Sequence, residues 1–287
     1  MLNTLRDEIR RMMKNEVKDI LKSVRNTNRE GKISFDDKAD GSPVTEADIK
    51  IGKLFVNKFK ELLPGSIVIN EEDFNKSVFE EVKKAKYVWI VDPIDGTRAF
   101  CDINNPKYCV GVALLENMRP ILSVLYVPEF EINGETDIII DTIDIEDGIK
   151  IDGNFYKVED KVKIADTKYV CHIRNDKDLI DVEKLISNRC KEIEIVKSKL
   201  GHSTLINYML VAIDGLNRAF SKREVNIWDI AQSAYIVEKA GGKIMYEDGT
   251  DVFPLDLNKC TFIDNKLVLP FTIAGNNEIK NILKGEM

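Results

Sequence analysis

The segment Tyr87-Val88-Trp89-Ile90-Val91-Asp92-Pro93-Ile94-Asp95-Gly96-Thr97 constrains this chain more than any other. Five consecutive large residues, rich in β-branched and aromatic types, read as a strand buried on both faces. The run stops abruptly at a carboxylate. Pro93 restricts Asp92 to an extended backbone, and Gly96-Thr97 permits a tight turn into a new helix start. Two acids are thus delivered to one strand end, where converging carboxylates repel each other strongly. Taken alone, Asp-Pro and Asp-Gly are also ordinary turn dipeptides. The other acids of the chain therefore bear on whether this is a turn or a site.

A second apolar run, Ile67-Val68-Ile69, ends in Glu71-Glu72, and Asp229 opens a later helical stretch. By themselves Glu71-Glu72 read as a solvated pair and Asp229 as a partner of its helix dipole. Thr45 and Asp48 fit a capping box. If the acids converge, the usual remedy for their repulsion is a hard cation held by oxygen ligands. The chain has two histidines, His172 and His202, and five scattered cysteines without a CxxC pair. That donor set favours Mg²⁺, Mn²⁺ or Ca²⁺ over zinc. A helix N-terminus at Gly96-Thr97 suits a phosphate oxygen. Divalent cations beside a phosphate cradle point to metal-assisted phosphoryl transfer.

Composition narrows the field. The 287 residues are 44% hydrophobic and 32% charged, enough for a filled core. A net charge of −7 makes the chain a poor binder of nucleic acid polymers or anionic membranes. No apolar run approaches the roughly 18 residues of a membrane span, and the N-terminus lacks a signal-peptide core. The cysteine pattern implies a reducing, cytoplasmic setting.

Periodicity predicts a helix over 2–24 and a loop or hairpin over 26–42. A second helix starts at Thr45, its apolar face formed by Ile49, Leu54, Phe55, Phe59, Leu62 and Leu63, and Pro64-Gly65 ends it. Strands over 110–115 and 121–127 join at Arg119-Pro120, and 128–165 reads as irregular strands and turns. The second half alternates helix and strand, with helices at 182–186 and 203–213 and a strand at 216–220. Asn226 caps a helix through Trp228, and strands at 243–246 and 271–274 precede a C-terminal helix. Two lobes are expected, 1–155 with most of the acids and 156–287 with Asp229, with a soft boundary between them.

Three blocks resemble the inositol monophosphatase superfamily of lithium-sensitive, metal-dependent phosphatases. Trp89-Ile90-Val91-Asp92-Pro93-Ile94-Asp95-Gly96-Thr97-Arg98-Ala99-Phe100 is similar to the family's W-x-x-D-P-[IL]-D-G-T-x-x-F. Trp228-Asp229-Ile230-Ala231 followed by Glu238-Lys239-Ala240-Gly241-Gly242 is similar to its W-D-x-A…E-A-G-G. Glu71-Glu72 lies upstream, with Lys38-Ala39-Asp40-Gly41-Ser42-Pro43-Val44-Thr45-Glu46-Ala47-Asp48 before it.

The resemblance implies a layered αβαβα α/β fold and a phosphomonoesterase acting on a small phosphorylated metabolite. It implies two or three Mg²⁺ ions, with Mn²⁺ as a substitute, and commonly a homodimer. Glu71, Asp92 and the carbonyl of Ile94 would hold one cation, and Asp92, Asp95 and Asp229 another. Gly96 and Thr97 would present N–H groups to the phosphate. The Thr97 hydroxyl, paired with Glu71, would activate water, with Thr45 and Asp48 behind it.

Substrate choice in the family lies near Gly201, His202 and Ser203 and before the Trp-Asp pair. Inositol-type members carry a Glu there, where this chain has Ser221, Lys222 and Arg223. Two adjacent cations suit a second phosphate, which favours a sugar bisphosphate or a 3′-phosphoadenosine nucleotide. They argue against histidinol phosphate, whose amine prefers an acidic neighbour. Alternatives are a histidinol-phosphate phosphatase, a catalytically silent phosphometabolite-binding member, and a calcium-binding structural protein.

Overall fold

A computed structural model describes the chain except residues 27–32, 39–40, 42, 160–161, 164–165, 172–182, 188–192, 198–202, 264–265 and 287. A helical rod opens it: α1 (Leu2–Met12), a π-helical stretch (Met13–Val17) and α2 (Lys18–Asn26). Apolar residues at helical spacing, among them Ile9, Met13, Val17 and Leu21, turn one face inward. A small antiparallel pair, β1 (Asp36–Asp37) and β2 (Pro43–Val44), leads to α3 (Glu46–Leu62). Ile51, Phe55 and Phe59 bury the inner face of α3. Ile49, expected on that face, is 42% exposed, because two residues from Ile51 is about 200° around the axis.

Next come β3 (Ile67–Asn70), α4 (Phe79–Val82), β4 (Tyr87–Asp95) and α5 (Thr97–Phe100). The strands β5 (Cys109–Glu116), β6 (Arg119–Val127), β7 (Ile138–Ile143), β8 (Ile149–Ile151) and β9 (Asn154–Tyr156) follow. β3 to β9 form one seven-stranded sheet in sequence order, parallel at β3–β4 and antiparallel thereafter. The stretch read as irregular is therefore partly a regular extension of this sheet. The β5–β6 turn is Asn117-Met118, both at positive φ, not Arg119-Pro120. Pro120 lies inside β6, where the register shifts opposite Leu115, a place where a missing N–H is tolerated.

The second half supplies β10 (Lys168–Cys171), a π-helical turn (Glu183–Ser187), β11 (Glu194–Lys197), α6 (Thr204–Ile213), β12 (Arg218–Lys222) and β13 (Val225–Asn226). Then come α7 (Ala231–Lys239), β14 (Lys243–Tyr246), β15 (Thr261–Ile263), β16 (Lys266–Leu269), β17 (Thr272–Gly275) and α8 (Asn277–Lys284). A five-stranded sheet runs β11-β10-β12-β17-β14, and a three-stranded one β13-β16-β15. Asn226 does not cap a helix through Trp228 with its side chain. Ile227–Asp229 form a 3₁₀ turn and α7 begins only at Ala231.

Three apolar clusters stack these elements. Trp89, Val91, Val112 and Leu114 on one face of the large sheet meet Ile9, Val17, Phe55 and Phe59 of the N-terminal helices, with Phe59 stacked on Trp89 at 4.1 Å. On its other face Ile90, Ala113 and Leu125 meet Leu205, Met209, Ile230 and Ile236 of the α6–α7 layer. Gly111 lets that layer approach, since a Cβ there would stand 2.7 Å from Leu205 Cδ1. Beyond the five-stranded sheet, Tyr169, Met245 and Ile273 pack on Ile279 and Ile282 of α8. The layers alternate α, β, α, β, α. No helix among the described residues is long and apolar enough to cross a membrane.

Candidate active site

The acids meet where β3 and β4 end side by side. Asn70 pairs with Val91, and the Glu71 N–H donates to the Val91 carbonyl. Asp92 faces Gly111 and Asp95 faces Cys109 across β5, with a register shift between them. That irregularity sets both carboxylates on one rim. Gly96 turns the chain at φ 91°, a conformation that costs little only for glycine, and α5 starts at Thr97. Asp229 arrives from the 3₁₀ turn after β13. One oxygen each from Asp92, Asp95 and Asp229 lies within 4.8 Å of the others. Glu71 lines the same cleft of about 410 Å³.

The carboxylates are treated very differently. Asp92 is fully buried, and neither of its oxygens has a hydrogen-bond partner among the described residues. Burial first, then the neighbouring Glu71, Asp95 and Asp229, raise its pKa well above the ordinary carboxylate range. Asp95 is held by Ser203 Oγ at 2.5 Å, by the Leu205 N–H at 2.6 Å and by the Thr204 N–H at 3.1 Å. Burial and Asp229 nevertheless push its pKa up to about 7. Glu71 is raised to about 7, by burial above all, against the pull of Lys38.

Two lysines lean on the cluster. Lys38 reaches Glu71 and Glu72, each at 2.8 Å. Burial works against its charge, but the two carboxylates outweigh that and raise its pKa. Lys222 donates to Thr204 Oγ1 at 2.7 Å and to Asp229 Oδ2 at 3.1 Å, and the Asn226 amide joins it on Asp229 at 3.2 Å. Arg223 is not part of this group. It stands over the Phe271 ring, 4.9 Å from the centroid, so the expected pair of adjacent cations is split.

Thr45 and Asp48 form the capping box of α3. Asp48 Oδ2 accepts from the Thr45 N–H and hydroxyl, at 2.8 and 2.5 Å. Its other oxygen lies 3.3 Å from Thr97 Oγ1. Burial, opposed by the Thr45 bonds, raises Asp48 to about 6. The Thr97 hydroxyl also lies 3.0 Å from the Ile94 carbonyl. Its partners are thus Asp48 and Ile94, not Glu71. Gly96 and Thr97 line the cleft. Gly201 and His202 lie outside the described residues, and Ser203 serves Asp95.

Thr204, Lys266 and Arg98 also line the cleft, as does Asn226, which the sequence offers only as a helix cap. Arg98 is steered there by its bond to the Gly41 carbonyl, 2.8 Å, and sits inside the motif block. Lys266 carries no local signal. Its place depends on β16 pairing with β13 just before Asp229.

The donor set fits divalent cations. Four carboxylates share one cleft, one of them buried without a donor, and no imidazole or thiolate is offered among their described neighbours except Cys109, whose thiol burial holds protonated.

Residues 3–274 match the inositol monophosphatase family. A 3′(2′),5′-bisphosphate nucleotidase CysQ of Haemophilus influenzae is 37% identical over 91 residues, 32% of this chain and 33% of that protein. That likeness spans only a third of the relative's length. CysQ of Buchnera aphidicola is 25% identical over 239 residues, covering 81% of this chain and 82% of its own. An IMPase of Thermotoga maritima has the same fold, with a TM-score of 0.68 at 20% identity over 97% of this chain and 96% of that one. With a family match running through the seven-stranded and five-stranded sheets and across the acidic cleft, the chain belongs to the inositol monophosphatase family.

Proposed function

We propose that the protein is a phosphatase that hydrolyses a phosphate monoester of a small metabolite with divalent cations, Mg²⁺ foremost. The observation that carries the reading is Asp92: a fully buried carboxylate without a donor, beside Asp95 and Asp229. Leaving such a charge uncompensated is costly unless a cation joins it. Glu71 and Asp92, with the Ile94 carbonyl, would hold one cation, and Asp92, Asp95 and Asp229 a second. Bound there, divalent cations supply Lewis acidity toward phosphoryl oxygens and acidify water.

The chain's own groups do the rest. Asp95, at the end of β4, and Asp229, at the end of the 3₁₀ turn after β13, both line the cleft. Gly96 and Thr97 line the position for the phosphate. Thr97 Oγ1 takes a proton from the attacking water while passing its own toward Asp48 Oδ1. Asp48, raised to about 6, is a serviceable base near neutral pH.

The cationic lining favours an anionic substrate. Lys38 is engaged by Glu71 and Glu72, and Lys222 by Asp229 and Thr204, while Lys266 and Arg98 also line the walls. A bisphosphate brings a second anionic group to those walls, whereas the amine of histidinol phosphate opposes them. The complete set of acids disfavours a silent binding protein.

The test is phosphate release with Mg²⁺, with and without EDTA, from 3′-phosphoadenosine 5′-phosphate, fructose 1,6-bisphosphate, inositol 1-phosphate and histidinol phosphate. EDTA-sensitive turnover, greatest on a bisphosphate, is the expected result, and lithium inhibition belongs to the same reading. No release from any ester would overturn it.

A further inference from the structure

The geometry points to Ser203 as a positioning residue that presents Asp95 to the cation through one chosen oxygen. Ser203 is 1% exposed and is the N-cap of the ten-residue helix α6. Its hydroxyl accepts the Ile206 N–H at 3.1 Å. With that side occupied, the hydroxyl proton is directed at Asp95 Oδ2, 2.5 Å away. The Leu205 N–H points at the same oxygen from 2.6 Å. Oδ1 receives only the longer bond from the Thr204 N–H, 3.1 Å.

A carboxylate has about four lone-pair sites over its two oxygens. Oδ2 carries two strong donors, whereas Oδ1 carries one weaker one. Ser203 thus saturates Oδ2, stops the carboxylate from rotating, and leaves Oδ1 as the oxygen with capacity for a cation. The adjacent Cys109 thiol, 3.9 Å from both Asp95 Oδ2 and Ser203 Oγ, is too weak a donor to replace it. Hydrogen bonds behind a metal ligand fix its orientation, and removing one typically weakens metal affinity about 10- to 100-fold.

This inference rests on the metal-dependent reading above. Its test must separate a hydroxyl that orients Asp95 from one that merely caps a helix. Glycine is nearly as good an N-cap as serine but has no hydroxyl. Threonine keeps both the cap and the donor.

The measurement is Mn²⁺ binding to the full chain by titration calorimetry, beside the melting temperature in EDTA, for wild type, Ser203→Gly, Ser203→Ala and Ser203→Thr. The expected result is Mn²⁺ affinity about tenfold weaker in Gly and Ala, and close to wild type in Thr. The metal-free melting temperature should stay near wild type in Gly and drop in Ala. Wild-type affinity in a folded Ser203→Gly variant would overturn the inference, as would an equal loss in Ser203→Thr. A wild-type protein that binds no Mn²⁺ would instead sink the metal reading itself.

Discussion

Two buried aspartates show two treatments of the same chemical problem. Asp141, on β7, and Asp92, on β4, are both fully inaccessible. Asp141 is answered from within: Arg10 bonds to it, and the Arg6 guanidinium lies 3.7 Å away. Burial still raises its pKa, but the two arginines work against the shift. The cluster also pins α1 to the large sheet, since Arg6 reaches Glu146 at 2.7 Å. Among the described residues Asp92 has no such answer, and the charges that act on it most are of its own sign. The fold compensates the buried carboxylate of Asp141 from within, and leaves that of Asp92 without a donor among the described residues, as the proposed cation site requires.

The sharpest way to break that contrast is to neutralise each aspartate. Asp92→Asn should lower turnover by about a thousandfold or more, since a cation-binding interaction worth several kcal/mol is lost. The same change should raise the melting temperature in EDTA, because it removes a repelled charge from the interior. Near-normal phosphate release by the folded variant would contradict the assignment. Asp141→Ala should do the reverse, costing about 3 kcal/mol in urea denaturation by removing the buried acid that Arg10 bonds to, with activity per folded molecule unchanged.

A smaller effect distinguishes the cleft walls from its floor. Lys266→Met should raise KM for a bisphosphate about tenfold, the value of one charge-assisted contact, while kcat and the KM for a monophosphate stay put. Equal changes on both substrates would remove Lys266 from recognition.

The gentlest probe is pH. Glu71 and Asp95 have pKa values raised to about 7, from ordinary values of 4.5 and 3.8. Between those limits the folded, cation-free protein binds more protons than the unfolded chain, so its stability falls as pH rises. Melting temperature in EDTA should therefore decline from about pH 4.5 to 7. Saturating Mg²⁺ should flatten or reverse that slope, since the ion requires the ionised ligands. A flat profile in EDTA would show that the acids are compensated after all.

Much of this was legible in the sequence because it is local. The apolar run 87–91 and its Asp-Pro-x-Asp-Gly-Thr ending prescribe both β4 and the turn that follows it. Thr45 and Asp48 announce the start of α3 by spacing alone. What was not legible depends on partners remote in the chain. Ser203 opens the helix expected over 203–213 and falls in the stretch that the resemblance ties to substrate choice, but nothing nearby says that Asp95, 108 positions earlier, receives its proton. Lys222 and Arg223 are adjacent in sequence, yet one enters the cleft and the other covers Phe271. β12 ends at Lys222, and Arg223 already lies in the bend that follows. Lys266 gains its place from the β13–β16 pairing, a tertiary choice that leaves no periodic trace.

The wide separation of the acids along the polypeptide has a bearing on biosynthesis. Glu71, Asp92 and Asp95 emerge from the ribosome early. The Ser203–Leu205 grip on Asp95 follows more than a hundred residues later, and Asp229 comes after that. A nascent chain holds an incomplete, mutually repelling set of carboxylates until Asp229 has been added. On the proposed function, a chain terminated before that point would lack one cation ligand and could not become a hydrolase.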